Sequence, residues 1–168
     1  MTPASGRRGW RAALALAGFI VAAEGVGWLG SIATLPEIPT WYAGLAKPSF
    51  TPPARVFGPV WTTLYLVMAI AAWLVWRAPV EDGPRRDALG AWWIQLGLNL
   101  AWSWIFFAAK DLAWAFVDIV ALLGAIGFTI WRFAAISRGA AWLLAPYLAW
   151  VGFAALLNFS VWRLNAPA

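Results

Sequence analysis

Long apolar segments, separated by short polar or proline-rich stretches, dominate this chain. The apolar segments cover residues 12–35, 53–76, 88–109, 112–136 and 140–164. A helix needs about 20 apolar residues to cross the hydrocarbon core of a bilayer, and each segment has roughly that length. The pattern therefore predicts an all-α membrane protein, a bundle of five transmembrane helices.

Two tails and one ordered loop complete the predicted organisation. Residues 1–11 form an N-terminal tail, residues 12–165 a single five-helix transmembrane domain, and residues 166–168 a C-terminal tail. The loop at 36–53 contains five prolines, which remove backbone donors and restrict the residues before them. We expect this loop to fold back over one end of the bundle.

The first apolar segment is interpreted as a retained helix, because it is longer than the roughly 7–15-residue core of a secretory signal. Lysine and arginine are unequally distributed between the two ends of the predicted bundle, with eight on the side of the N-terminus and four on the other. The positive-inside rule then places the N-terminus in the cytoplasm. The Ala- and Arg-rich composition indicates a bacterial protein, and the charge bias favours the inner membrane, with the outer membrane as the alternative.

Composition excludes several classes of protein. Charged residues make up 11% of the chain, against roughly a quarter in soluble domains. The basic residues flank apolar segments, which favours lipid headgroups over nucleic acid as their partner. The chain has no cysteine and no histidine, so disulfides, thiolate chemistry and histidine ligation of a metal or haem are excluded. Lys47 and Lys110 lie in or beside loops, which excludes a retinal protein.

Aromatic and amide side chains recur at helical spacing in three of the predicted helices. Residues four or seven apart share a helix face. The three stripes are Trp61, Tyr65 and Met68; Gln95, Asn99, Trp102 and Phe106; and Pro146, Trp150, Ala154 and Asn158. Together they predict a cavity lined by flat rings with a few polar groups, suited to a planar apolar ligand. The alternative is that the rings only pack and the amides only link helices.

Two acidic residues fall at membrane depth, Glu24 in the first helix and Asp118 in the fourth. A charged carboxylate there is costly, so each should be protonated, paired or near water. For Asp118, a ligand contact and a neutral carboxyl bonded to its surroundings are both open, whereas the second interpretation is favoured for Glu24. Gly97 and Ala101 form a small-xxx-small pair that is a candidate dimer face.

Four stretches of the chain carry motifs rich in aromatic residues, proline and amides. Residues 41–53 read WYAGLAKPSFTPP and residues 57–65 read FGPVWTTLY. Residues 95–107 read QLGLNLAWSWIFF, and residues 146–150 read PYLAW, followed by Leu157 and Asn158. These motifs resemble the TspO/MBR family, which comprises tryptophan-rich sensory and translocator proteins and is similar to the peripheral-type benzodiazepine receptor. The resemblance covers about residues 15–165.

The resemblance implies a dimeric five-helix bundle with a ligand pocket closed by the first loop. It implies porphyrins and other tetrapyrroles, isoquinoline and benzodiazepine drugs, and sterols as ligands. Phe159 replaces the tyrosine of the family's sterol motif ahead of Arg163, so cholesterol is not predicted as a main ligand. With Tyr65 and Asp118 added from the sequence pattern, the candidate ligand-binding residues are Trp41, Pro48, Phe50, Trp61, Tyr65, Asn99, Trp102, Phe106, Asp118, Trp150 and Ala154.

Three functions are compatible with these residues. The favoured one is a membrane-embedded binding protein or sensor for porphyrin, haem precursors and similar flat apolar ligands, aiding their transport or regulation, with porphyrin as ligand and no required cofactor or metal. The second is a photo-oxidative porphyrin-degrading enzyme, for which the resemblance implies Trp61 and Trp150 as the reacting residues; no catalytic residue is otherwise assigned. The third is a transporter, which five helices disfavour because they do not divide into two inverted repeats.

Overall fold

A computed structural model describes residues 4–166, and every regular element in that range is helical. The all-α prediction is therefore confirmed for the described residues. The elements are α1 (Ala4–Thr34), α2 (Trp41–Gly44), a 3₁₀ turn (Ala54–Val56), α3 (Phe57–Arg77), α4 (Asp82–Ser103), a π-helical turn (Trp104–Ala108), α5 (Leu112–Ala134), α6 (Arg138–Leu143) and α7 (Ala145–Asn165).

Helix boundaries differ from the sequence expectation at both ends of the chain. Residues 4–11, assigned from the sequence to an N-terminal tail, belong to α1. Residues 1–3 and 167–168 of the two predicted tails lie outside the described residues. The predicted fifth helix is divided at Leu144 into α6 and α7, because Pro146 in the first turn of α7 has no N–H to continue the bonding of the preceding helix.

Four helical stretches are long and apolar enough to cross a membrane: Gly9–Thr34, Ala54–Arg77, Leu112–Ala134 and Arg138–Asn165. The helix α4 is not among them, because amides and the charged residues of its first turns lower its mean hydropathy. The prediction of five spans is thus confirmed for four segments by length and composition.

Capping explains where the polar turns give way to helix. Asp111 precedes α5, and its side-chain oxygen accepts hydrogen bonds from the N–H groups of Ala113 (3.1 Å) and Trp114 (3.0 Å), which would otherwise have no partner. The helix α4 begins at Asp82, whose negative charge is favourable at a helix N-terminus. The predicted 77–87 loop is consequently helical from residue 82.

Small side chains hold the helices together at one end of the bundle, which we call the closed half. Ala69, Ala71, Ala72, Ala88 and Ala140 are all 0% exposed there. Small residues allow helix backbones to approach closely in a membrane bundle. The helices α3, α4 and α6 therefore pack closely at this end.

The helix α1 lies against α3 through Gly27. A Cβ added at Gly27 would stand 2.6 Å from Cε2 of Tyr65, a distance that no real side chain tolerates. One turn later, a Cβ at Gly30 would stand 3.1 Å from the Ser103 hydroxyl. Glycine at these positions thus sets the spacing between α1 and the rest of the bundle.

Candidate functional site: an aromatic cavity in the open half

A cavity of about 650 Å³ occupies the other end of the bundle, which we call the open half. Residues of α1, α3, α4 and α7 form its walls, and the π-helical turn and the loop before α3 cover it. Large rings take the positions that alanines hold in the closed half. The rings that line it are Trp28, Tyr42, Phe57, Trp61, Tyr65, Trp102, Phe106, Phe107 and Trp150.

The wall rings brace one another. On α3, the ring centroids of Trp61 and Tyr65 are 5.5 Å apart. Where α4 passes into the π-helical turn, Trp102 and Phe106 lie 5.0 Å apart at an angle of 31°. On the opposite side, Trp150 of α7 meets Phe57 edge to face at 5.8 Å. Such pairs are favourable beyond the area that they bury, so the rings are held in place before a ligand arrives.

Four hydrogen-bonded side chains, which we call the floor network, close the cavity toward the closed half. The Tyr65 hydroxyl donates to Oδ1 of Asn99, and Nδ2 of Asn99 donates to the Tyr147 hydroxyl at 3.0 Å. The Tyr147 hydroxyl donates in turn to Oε1 of Gln95 at 2.8 Å. All four residues are buried, so the network satisfies polar groups that would be costly alone.

A second polar link stands in the wall. Nε1 of Trp102 donates to Oδ1 of Asn158 at 3.0 Å, and Nδ2 of Asn158 donates to the backbone oxygen of Leu112 at 3.0 Å. Asn158 thereby ties α7 to both α4 and α5 and fixes the plane of the Trp102 ring. Asn99 and Asn158 each line the cavity. Each amide therefore links helices and also contributes a polar group to the cavity wall.

Seven of the residues proposed from the sequence are brought together in the cavity wall. They are Trp61, Tyr65, Asn99, Trp102, Phe106, Trp150 and Ala154. The other four candidates, Trp41, Pro48, Phe50 and Asp118, are not among the described lining residues.

The two aromatic candidates that miss the cavity pack elsewhere. Trp41 lies behind the wall, with its ring centroid 5.8 Å from that of Phe106. Phe50 is 46% exposed and contacts the ring of Phe153 at 6.3 Å. They support the wall and the loop rather than forming the cavity surface.

The remaining two candidates also stand apart from the cavity surface. The backbone oxygen of Pro48 accepts hydrogen bonds from Thr51, which closes a tight turn in the loop. Asp118 is half-buried on α5, and its Oδ2 atom has no hydrogen-bond partner among the described residues. A direct ligand contact for Asp118 has no support in this arrangement.

The loop before α3 folds back over the cavity and is anchored at two points. The N–H of Ala46 donates to Oδ1 of Asn165 at 3.0 Å, and Nδ2 of Asn165 donates back to the oxygen of Ala46 at 2.9 Å. Nζ of Lys110 pairs with Oε2 of Glu37 at 3.0 Å. From this loop Tyr42 lines the cavity, and burial raises the pKa of its hydroxyl, so the group stays neutral.

Several lining residues were missed by reasoning from the sequence, and most belong to α1. Glu24, Gly27, Ser31 and Thr34 line the cavity at spacings of three or four residues. A small and polar stripe at helical spacing is a detectable signal in the sequence, although it contains no aromatic ring. Arg55, in the 3₁₀ turn, also lines the cavity.

The described lining of the cavity is mostly apolar, with few charged groups. Glu24 and Arg55 are its two charged lining residues among those described. The indole N–H of Trp150 is buried without a hydrogen-bond partner within residues 4–166. Over the same range, no three side chains of metal-binding type lie together. The site can therefore hold a flat, largely apolar molecule and offer hydrogen bonds at its edge.

Comparison with known proteins matches the chain to one family over most of its length. The model of the TspO/MBR family matches residues 19–163. A tryptophan-rich protein TspO of Archaeoglobus fulgidus is 41% identical over 153 residues, covering 91% of this chain and 98% of the relative. The human translocator protein is 46% identical over 129 residues, covering 74% of this chain and 75% of the relative.

A third relative is protein CrtK of Rhodobacter capsulatus, 37% identical over 125 residues, covering 74% of this chain and 78% of the relative. The four apolar helices agree with this assignment. The chain is an integral membrane protein and belongs to the TspO/MBR family.

Proposed function

We propose that this protein binds tetrapyrroles, such as porphyrin and haem precursors, and similar flat apolar molecules within the membrane, as a sensor or carrier. The observation that carries the proposal is the cavity of about 650 Å³ walled by indole and phenyl rings. That volume lies within the range of about 300–1,000 Å³ that small-molecule sites occupy.

The arrangement of the indole rings around the cavity suits a planar ligand. Trp61, Trp102 and Trp150 come from three different helices and all line one space. Aromatic faces stack on a conjugated macrocycle, so walls of this kind suit such a ligand. The proposal requires no cofactor and no metal, since stacking and hydrogen bonding suffice for binding.

Titration of protoporphyrin IX into the detergent-solubilised protein tests the proposal, with tryptophan quenching and the porphyrin absorption band as readouts. Trp102→Ala should weaken binding about tenfold, since a ring at the centre of the site is lost. The control is Trp142→Ala, because Trp142 is 76% exposed on α6 and far from the cavity lining. Absence of binding, or equal weakening in both variants, would contradict the proposal.

A photo-oxidative function is the second candidate, and one observation favours it. Trp61 and Trp150, the pair that the family resemblance implies for porphyrin breakdown, line the same cavity. Illumination of the complex should then destroy the porphyrin, and Trp61→Phe or Trp150→Phe should stop that loss while sparing binding. A rate of loss equal to that of free porphyrin in micelles would rule this function out.

We further propose that α4 and the π-helical turn form a fifth span, with the N-terminus in the cytoplasm of a bacterium. Gln95 and Asn99 make α4 polar, but the floor network satisfies both amides, so their cost inside the membrane is small. The chain has no native cysteine, so single cysteines can report topology. Arg86→Cys should label from the cytoplasmic side of inner-membrane vesicles and Lys110→Cys from the other.

We also propose a homodimer through the outer face of α4. Gly97 is exposed, and a Cβ there would meet nothing within 4 Å, so a second helix can approach closely. Gly97→Leu should shift the protein from dimer to monomer in analytical ultracentrifugation. The matched variant Gly124→Leu, on α5, also has open space at its Cβ and should leave the dimer intact.

A further inference from the structure

The two charged residues of the cavity stand at its opposite ends. Glu24 lies ten residues before the end of α1 at Thr34, which at about 1.5 Å per residue places it about 15 Å from that end. Tyr65 of the floor network follows Arg55 by ten residues, mostly along α3, and so lies at a similar depth. Arg55 is therefore at the mouth, and Glu24 is near the floor.

Among the residues that line this mouth, Arg55 is a cation with no ion-pair partner within residues 4–166. The ion pairs found in that range belong to Arg85, Lys110 and Arg132. Nζ of Lys47, in the neighbouring loop, donates to the backbone oxygens of Ala43 and Leu45. Arg55 makes no such bond and is exposed, while its side chain contributes to the cavity lining.

We infer that Arg55 binds a carboxylate on the edge of the ligand, so that the acidic edge faces the mouth and the apolar edge faces the floor. This inference rests on the proposed function and narrows it to tetrapyrroles that carry carboxylates. The guanidinium fork matches a carboxylate with two parallel N–H···O bonds. Glu24 offers no cation at the other end, so the reverse orientation has nothing to neutralise an acidic edge.

The orientation also agrees with the solvation of the two ends. A carboxylate is costly to bury, and at the mouth it keeps part of its water while it pairs with Arg55. The vinyl or methyl edge of a macrocycle meets rings and the satisfied floor network. Both ends of the ligand therefore meet a surface of matching polarity.

The test compares protoporphyrin IX with its dimethyl ester, which has the same ring and no charge. Arg55→Gln should weaken binding of the free acid about five- to tenfold, as expected for a half-solvated charge-assisted pair. The same substitution should leave ester affinity unchanged within about twofold. Comparing variants for each ligand cancels the different partitioning of acid and ester into nonionic micelles.

Two further variants make the result specific. Arg163→Gln removes the same charge from an exposed position in the last turn of α7, at the same end of the bundle but outside the lining, and should not change either affinity. Arg55→Lys keeps the charge without the fork and should give an intermediate affinity for the acid.

The inference is overturned if Arg55→Gln leaves acid binding unchanged, if it weakens acid and ester alike, or if Arg163→Gln has the same effect. In the first case Arg55 is a solvated residue of the membrane interface, and in the last the effect is bulk charge. If neither porphyrin binds the unmodified protein, the proposed function fails and this inference fails with it.

Discussion

The closed and open halves of the bundle are built from the same helices but differ in the size of the inward side chains. In α3, Trp61 faces the cavity, and Ala69 and Ala72, two and three turns later, are fully buried. In α4 the order is reversed along the chain, with Ala88 in the closed half and Trp102 in the open half. Large rings hold the helices apart at one end, and alanines bring them together at the other.

The floor network marks the boundary between the two halves. It lies where alanine packing ends and ring packing begins, and it joins α3, α4 and α7 through Asn99 and Tyr147. Its polar groups bond to one another instead of to a ligand. A membrane bundle can therefore enclose a cavity at one end and still be stable, provided that the polar groups at the boundary are paired.

The largest effect should come from placing the same large ring in each half. Ala72→Phe inserts a ring where the side chain is 0% exposed, and overpacking should lower the free energy of unfolding by about 3 kcal/mol. Ala154→Phe inserts it into the cavity wall, where there is room. It should cost less than about 1 kcal/mol but abolish porphyrin binding.

Unfolding by increasing mole fractions of SDS, followed by circular dichroism, measures the first quantity, and protoporphyrin titration measures the second. If both variants lose stability equally, the two halves do not differ in packing. If Ala154→Phe binds porphyrin normally, the cavity is not the binding site.

The next effect concerns the boundary itself. Asn99→Leu keeps the volume of the side chain but leaves the Tyr65 hydroxyl without its acceptor. A buried polar group without a partner costs about 1–3 kcal/mol, so SDS unfolding should shift accordingly. Tyr65→Phe in the same chain should recover most of the loss, because the unpaired hydroxyl is then absent. No recovery in the double variant would show that the network is not what holds the boundary.

A smaller effect should follow at the contact between α1 and α3. Gly27→Ala places a Cβ 2.6 Å from the Tyr65 ring, and the ring must move. The strain of about 1–3 kcal/mol is partly offset by the better helix propensity of alanine, about 1 kcal/mol, leaving a net destabilisation of about 1 kcal/mol. Gly25→Ala, where the Cβ meets nothing within 4 Å, should stabilise instead, which gives the comparison its control.

The smallest effect on stability should come from the hydrogen bond between Trp102 and Asn158. Trp102→Phe removes the N–H that donates to Asn158 but keeps an aromatic face, so stability should fall by about 0.6 kcal/mol. Porphyrin affinity should change by less than about threefold, in contrast to Trp102→Ala. An equally large loss in both variants would mean that the hydrogen bond, and not the ring, matters for binding.

The sequence predicted the helices and the aromatic stripes well, because the 3.6-residue period is local information. The sequence pattern predicts one site for Trp61, Asn99, Trp102 and Trp150, and these four residues line one cavity. The contribution of α1 was missed, because its lining is made by glycine, serine and an acid whose role depends on what lies opposite. The requirement for glycine at position 27 follows from its contact with the Tyr65 ring, which the sequence alone does not reveal.

The candidates from the loop before α3 lie off the cavity surface for a related reason. Trp41 and Phe50 were proposed from the motif of the loop, but a motif does not specify which ring in a folded loop turns inward. Tyr42 lines the cavity and its neighbour Trp41 packs behind the wall. The start of α4 was also misplaced: the helix begins at Asp82, inside the charged segment that the sequence predicted as a loop. Tertiary contacts of this kind are not encoded in the spacing of residues.

The π-helical turn at the end of α4 limits how this scaffold can be re-engineered. One extra residue in a turn rotates everything beyond it by about 100°, and here it lets adjacent Phe106 and Phe107 both turn inward. An idealised straight rod built through residues 104–108 would send one of the two rings out toward the acyl chains. Replacing the π-helical turn with regular α-helix would therefore remove part of the cavity wall, even with the amino-acid sequence unchanged.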